Sequence, residues 1–273
     1  MKQFASLLIG LLMGFSSSPA MSQSTVTCDS ADNITVVAGG SDCLALLSFG
    51  TDELRPNGTL IVFLHGDVSS GGPSDAFRRI APNYVGAGRA AVVLIRQGYF
   101  DDGNRLSTGS NYGRNDNATP DNIDNIGAAL AKLKAHHRVA RLVVIGHSRG
   151  SNIAGVLLGR RPGLIDAAVL FSCPCDLATR QKSQSAKQRA IALRSLSPLD
   201  FVSTIPANTW VATITGEKDD NTSWQFLKKW HEALKDRQVP IRDVILPNEL
   251  HNWSTRWFTY PDFRALLDEA IGG

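Results

Sequence analysis

The sequence predicts an α/β domain, with a mostly parallel sheet covered by helices on both faces. Two observations carry that prediction. Apolar, β-branched runs alternate with helical patterns through the second half of the chain, and such alternation builds parallel sheets buried on both sides. In addition, Arg141-Leu142-Val143-Val144-Ile145 runs straight into a helical pattern, with Gly146-His147-Ser148-Arg149-Gly150 at the junction. A strand that turns directly into a helix strains the residue at the turn. Glycines in the spacing G-x-S-x-G remove the collisions on either side. They leave the serine oxygen projecting beyond the sheet, at the positive end of a helix.

The chain has 273 residues, 43% hydrophobic and 19% charged, enough for one large domain with a sizeable core. A net charge of +3 without a long basic run argues against nucleic acid or an anionic membrane as partner. Residues 1–20 read as a signal peptide. Lys2 supplies the positive start, Leu7 to Phe15 the apolar core, and Ser18-Pro19-Ala20 the small-residue cleavage site. That apolar run is too short to span a bilayer, so no membrane association is expected after cleavage.

Residues 21–54 then hold two N-terminal strands, Ile34 to Val37 and Leu44 to Leu47, separated by Gly39-Gly40. Pro56-Asn57-Gly58 signals a turn. Thr59 to Leu64 is a buried strand ending in His65-Gly66-Asp67. A helix is expected over residues 73 to 85, and Ala91 to Ile95 is the next strand. Gly86-Ala87-Gly88-Arg89 imitates a dinucleotide fingerprint but precedes a strand, so it reads as a turn. The polar stretch from Arg96 to Thr119 is long for a loop inside a compact domain, which marks it as functional.

Thr119 as N-cap and Pro120 at the first position start a helix whose Ile123, Ile126, Leu130 and Leu133 form one apolar face. After the serine helix come a strand at Ala167 to Phe171 and a polar, helical segment over residues 176 to 197, too short for a large lid. Strands at Trp210 to Ile214 and Ile241 to Leu246 flank a helix from Thr222 to Asp236, and a last helix runs from Pro261 to Ala270.

Four cysteines suit an oxidising compartment and allow three connectivities. The pairing expected is Cys28 with Cys43, closing a loop of about 15 residues and stabilising by about 3 kcal/mol in the chain-entropy model. Cys173 and Cys175 would then close locally beside the rim that carries the serine. No cysteine or histidine pair stands at metal-ligand spacing.

Both of the last two strands end in polar loops on the rim of Ser148. One is Gly216-Glu217-Lys218-Asp219-Asp220-Asn221, the other Pro247-Asn248-Glu249-Leu250-His251. The chain order serine, aspartate, histidine supplies nucleophile, orienting acid and base. From these motifs the chain resembles the α/β-hydrolases over roughly residues 55 to 270, so residues 55–273 are expected to be the hydrolase core. Within the superfamily it is similar to the dienelactone-hydrolase and prolyl-oligopeptidase-like branch. There the acid lies three residues after a glycine and the histidine follows about thirty residues later, which Gly216, Asp219 and His251 match. Asp220 is the alternative acid.

The resemblance implies an α/β-hydrolase fold without a large lid domain and a Ser148, Asp219, His251 triad. It also implies an oxyanion hole from the backbone N–H groups of Asp67 and Arg149. Two departures stand out. The H-G-G-G lipase type is not matched after His65-Gly66, and Ser151 stands where many relatives carry glycine. The expected activity is that of a serine esterase on a small or medium carboxylic ester, with no metal or cofactor. A serine peptidase is the runner-up, and a non-catalytic binding module the third reading. His65 is expected to pin the oxyanion loop, His147 to be packed, and His136 and His137 to end a helix. His231 lies within a helix beside Trp230. Trp253 and Trp257 are candidates for the acyl pocket or for the core; further substrate-binding residues are unknown. Asn221 and Asn252 open N-x-S/T sequons beside the acid and the histidine, where glycans would crowd the site. The reading is therefore a bacterial exported protein, secreted or periplasmic.

Overall fold

At the centre of the sheet lies the strand that delivers the serine. In the computed structural model, which describes residues 22–74, 76–114, 118–182, 194–252 and 255–272, ten strands form. They are β1 (Ser24–Thr25), β2 (Val36–Gly39), β3 (Asp42–Phe49), β4 (Thr59–Leu64), β5 (Arg89–Leu94), β6 (Arg105–Leu106), β7 (Arg141–His147), β8 (Ala167–Phe171), β9 (Trp210–Gly216) and β10 (Ile241–Leu246). Eight make one sheet in the order β10-β9-β8-β7-β4-β5-β3-β2, and β1 pairs with β6 apart from it.

All pairings from β5 to β10 across the sheet are parallel, while β3 joins β5, and β2 joins β3, antiparallel. The chain leaves β4 toward β5 on one side and returns to β7 on the other. Such a reversal opens a crevice at the carboxyl ends of the strands. The register keeps those ends level, because Leu64 pairs Gly146, His147 pairs Phe171, and Leu246 pairs Gly216. One rim therefore receives the loops after β4, β7, β8, β9 and β10.

Each core strand buries both faces, as expected of a sheet covered on two sides. Leu60, Val62, Leu142, Val144, Leu170 and Val211 meet α1 (Pro120–His136), α2 (Arg149–Arg160) and α4 (Lys228–Asp236). Ile61, Phe63, Val143, Ile145, Val169 and Ile214 meet α5 (Pro261–Gly272). Helix α1 starts where the sequence places it, with the Asn122 N–H donating to Thr119 Oγ1 at 3.4 Å. The short α3 (Leu177–Lys182) follows β8.

Several elements differ from the sequence expectation. Residues 73 to 85 form turns and a short 3-10 helix at Ala81–Tyr84 rather than a helix. Pro82 has no N–H to return to the fourth residue back, and the bonds formed instead are tight, such as Asn83 N–H to Ile80 O. Strand β2 starts at Val36 rather than Ile34, because the Asp32 carboxylate takes the N–H groups of Ile34, Thr35 and Val36. The expected helix at 222–236 splits into a 3-10 turn at Trp224–Phe226 and α4. Of the expected helical segment 176–197, α3 is observed, and residues 183–193 lie outside the described ones. Residues 1–20, expected to be a signal peptide, also lie outside them.

Both cysteine pairs are bridged as expected, Cys28 to Cys43 and Cys173 to Cys175. No helix among the described residues is long and apolar enough to cross a membrane.

Helix α2 lies so close to the 198–204 segment that a Cβ on Gly159 would stand 2.0 Å from Phe201 O. Backbone at that distance has nowhere to yield. Gly159→Ala is expected to destabilise the fold by about 2 kcal/mol or more, since overpacking of this kind typically costs 1–3 kcal/mol. Urea unfolding of the two proteins checks it, and equal midpoints would contradict the packing.

Candidate active site

Ser148 sits between β7 and α2 with φ 53° and ψ −115°, a region that side-chain-bearing residues rarely occupy. The two motif glycines make this turn possible by close approach. A Cβ on Gly150 would stand 2.0 Å from Leu64 O on β4, and one on Gly146 would stand 2.6 Å from Ser151 Cα. The turn is further tied to β8. Ser148 N–H donates to Phe171 O at 2.8 Å, and the Ser151 hydroxyl reaches Ser148 O at 2.6 Å and Phe171 O at 2.9 Å. The Ser151 hydroxyl thus fastens the elbow to β8.

His251 comes to this serine from the loop after β10. Its Nε2 lies 3.1 Å from Ser148 Oγ, and its Nδ1 lies 3.1 Å from Asp219 Oδ2. Main-chain bonds join the two loops that supply these groups, from Glu217 N–H to Leu246 O and from Lys218 N–H to Glu249 O, each at 2.9 Å. Asp219 is buried and Asp220 exposed, so Asp219 is the carboxylate that meets the histidine.

Four donors surround the Asp219 carboxylate. Asn221 and Thr222 N–H donate to Oδ1 at 3.0 and 2.8 Å, and Thr222 Oγ1–H donates to Oδ2 at 2.7 Å, beside the contact to His251. Burial alone would raise its pKa. The His251 hydrogen bond and charge, together with the Thr222 donors, outweigh burial and hold the carboxyl well below the usual range.

Asp67 follows β4, and Arg149 opens α2 directly after the serine. Their side chains meet, with Arg149 Nε 3.5 Å from Asp67 Oδ2, while Arg96 Nη2 and the Tyr99 hydroxyl donate to Asp67 Oδ1 at 2.8 and 3.2 Å. The two residues named for the oxyanion hole are therefore neighbours across the elbow. His65 is buried beneath them. It accepts Arg96 N–H at Nε2 (3.0 Å) and donates from Nδ1 to Gly66 O (2.7 Å), so it pins this loop as a neutral ring. Burial and then the Arg96 charge push its pKa down to about 3. His147 Nε2–H donates to the His251 carbonyl at 3.0 Å, and burial followed by the His251 charge lowers its pKa to about 4.

The remaining candidates fall outside the site. Trp257 is buried in the core against Phe171 and donates its Nε1–H to Glu249 at 2.9 Å, supporting the histidine loop from below. Trp253 lies outside the described residues. His136 and His137 end α1, and His231 Nε2 meets Thr213 Oγ1 at 2.9 Å. No cluster of three metal-binding side chains occurs among the described residues. Sequence reasoning did not single out Arg96, Tyr99 or Thr222. Arg96 and Tyr99 lie in the long polar stretch flagged as functional. Thr222 had a local signal, a D-x-x-T spacing from Asp219.

A mostly parallel sheet whose central strand turns at a strained serine, with histidine and aspartate arriving on the next loops, is the architecture of an α/β-hydrolase. A family model described as the alpha/beta hydrolase fold matches residues 59–194, and the chain has that fold. Solved structures of the same fold include Est1E from Butyrivibrio proteoclasticus with ferulic acid bound. It is 15% identical with a TM-score of 0.63, over 87% of this chain and 99% of that one. The Pyrococcus furiosus esterase Pf2001 is 15% identical with a TM-score of 0.62, over 87% and 90%. Dipeptidyl peptidase 4 of Porphyromonas gingivalis is 18% identical with a TM-score of 0.58, over 86% of this chain and 35% of that one. No curated protein matches the sequence.

Two outcomes are expected. Asp219→Asn should slow the reaction of Ser148 with a fluorophosphonate by on the order of a thousandfold, through loss of the histidine tautomer. Asp220→Asn should leave it near wild type. Labelling rates measured side by side decide between the two acids.

The second outcome concerns pH. The folded pKa values of His65 and His147, about 3 and about 4, lie below the ordinary histidine value, so the unfolded chain binds these protons first. Stability is complete above pH ~6.5 and declines as pH falls toward 4. Tm should drop between pH 7 and pH 4.5, and a flat profile would contradict the neutral, buried rings.

Proposed function

We propose that this protein is an exported serine hydrolase that cleaves a small carboxylic ester through an acyl-enzyme. The observation that carries the reading is the chain of contacts from Ser148 Oγ through His251 to Asp219, on a strained elbow at the sheet rim. The esterases that share the fold support an ester as the substrate class.

In this mechanism His251 carries its proton on Nδ1, toward Asp219, and its bare Nε2 accepts the Ser148 proton as Oγ attacks the carbonyl carbon. The carbonyl oxygen becomes an oxyanion, held by the N–H groups of Arg149 and Asp67. Imidazolium His251 then returns its proton to the departing alkoxide, and the acyl group stays on Ser148. Water enters, gives a proton to Nε2, attacks the acyl carbon and releases the acid, and Ser148 recovers its proton. Every charge that develops in the cycle is met by a group of this chain, so the reading requires no cofactor.

Residues 1–20 would direct export. Two disulfides suit an oxidising destination, secreted or periplasmic. Residues 21–54 belong to the same domain as the core in this reading, since β2 and β3 extend its sheet.

A fluorophosphonate probe should label the folded, processed protein at Ser148, as read by peptide mass spectrometry. Labelling at another residue, or none, would remove the enzymatic reading.

A further inference from the structure

The carboxylate that meets His251 is held by a local device found three times among the described residues. At Asp32-x-x-Thr35, Asp176-x-x-Thr179 and Asp219-x-x-Thr222, the threonine N–H donates to one carboxylate oxygen and the threonine hydroxyl to the other. In each case burial opposes ionisation, and the carboxyl is nevertheless held below its usual pKa by these donors acting with others: the Ile34 and Val36 N–H groups at Asp32, Lys229 at Asp176, and above all His251 at Asp219. At the first the device ties a loop, and at the second it opens α3 and meets Lys229.

At the third, the same hydroxyl also touches a histidine. Thr222 Oγ1 lies 2.7 Å from Asp219 Oδ2 and 2.9 Å from His251 Nδ1, closer to the ring nitrogen than the carboxylate itself at 3.1 Å. Thr222 is buried, with 1% of its surface exposed, so water does not replace it.

We infer that Thr222 is a positioning residue that fixes the tautomer and the ring orientation of His251, an inference that rests on the serine-hydrolase reading. A hydroxyl owns one proton and two lone pairs. Given to Asp219 Oδ2, that proton makes the strong, charge-assisted bond and leaves the lone pairs facing Nδ1. Nδ1 must then carry hydrogen and share it between Thr222 Oγ1 and Asp219 Oδ2. The opposite tautomer would turn the hydroxyl proton toward Nδ1 and strip it from the carboxylate. It would also set the Nδ1 lone pair against Oδ2. Thr222 therefore keeps Nε2 bare and aimed at Ser148. When Nε2 takes the serine proton, two acceptors stand ready at Nδ1 for the more acidic N–H of the imidazolium.

The test compares Thr222→Val and Thr222→Ser with Thr35→Val, which removes the same hydroxyl from the same device without a histidine. Hydrolysis of p-nitrophenyl acetate and the rate of fluorophosphonate labelling are measured, with Tm recorded for each variant. Thr222→Val is expected to lower kcat and the labelling rate about tenfold or more, with KM held within about twofold. Thr222→Ser should recover most of the loss, and Thr35→Val should match wild type in rate. If Val does not fold, Thr222→Ala against Thr222→Ser gives the same comparison. Wild-type rates in Val, or Ser as impaired as Val, would overturn the role of Thr222 while Ser148 labelling keeps the hydrolase reading alive. Absence of any Ser148 labelling in the wild type would overturn both.

Discussion

The site depends on one close approach: the Cα of Gly150 against the carbonyl of Leu64, where a Cβ would stand at 2.0 Å. That contact lets α2 press onto the end of β4, and the pressure holds Ser148 in its disfavoured backbone. Strain of this kind persists only where the surroundings over-determine it. Here the surroundings are a parallel ladder on both sides of β7, the Ser148 N–H bond to Phe171, and the Ser151 hydroxyl bridging both. The serine oxygen is thereby placed by the most rigid part of the molecule. The histidine and aspartate come from longer loops, and they need the additional ties that the structure provides.

Those ties are polar and largely local to the rim. Asp67 gathers Arg96, Tyr99 and Arg149, so the loop after β4 and the start of α2 are held to one carboxylate. Neutral His65 and His147 work from beneath. Each spends its ring N–H on a backbone carbonyl, of Gly66 in one case and His251 in the other. Burying a neutral imidazole costs far less than burying a charge, and His65 has both ring nitrogens hydrogen-bonded, so these two rings are suited to a support role beside a charged pair.

Much of this was legible in the sequence because the signals were short-range. Apolar runs bounded by polar turns gave β4, β8 and β10 with their observed limits, and Thr119-Pro120 gave the start of α1. Ser148, Asp219 and His251 were readable because each directly follows such a run and the parallel register then brings the ends together. Legibility failed where a side chain or a missing N–H overrode periodicity. Pro82 prevented a helix over 73–85, and the Asp32 carboxylate delayed β2 by two residues. Arg96 and Thr222 were hidden for a different reason. Their importance lies in partners brought close by folding, from Asp67 to Arg96 and from His251 to Thr222; the D-x-x-T spacing of Thr222 points to Asp219, and no local pattern announces a partner 29 positions away.

The order of strands along the chain carries one more consequence. From the centre outward on one side, the sheet is laid down in the sequence β7, β8, β9, β10, the same order in which a ribosome produces them. Ser148 exists early in that series, whereas its partner His251 stands 103 residues later, beyond the last strand to dock. A chain synthesised only as far as β7 and α2 thus holds Ser148 without His251. In the proposed function the serine therefore stays without its base until the outermost strand has added to the sheet.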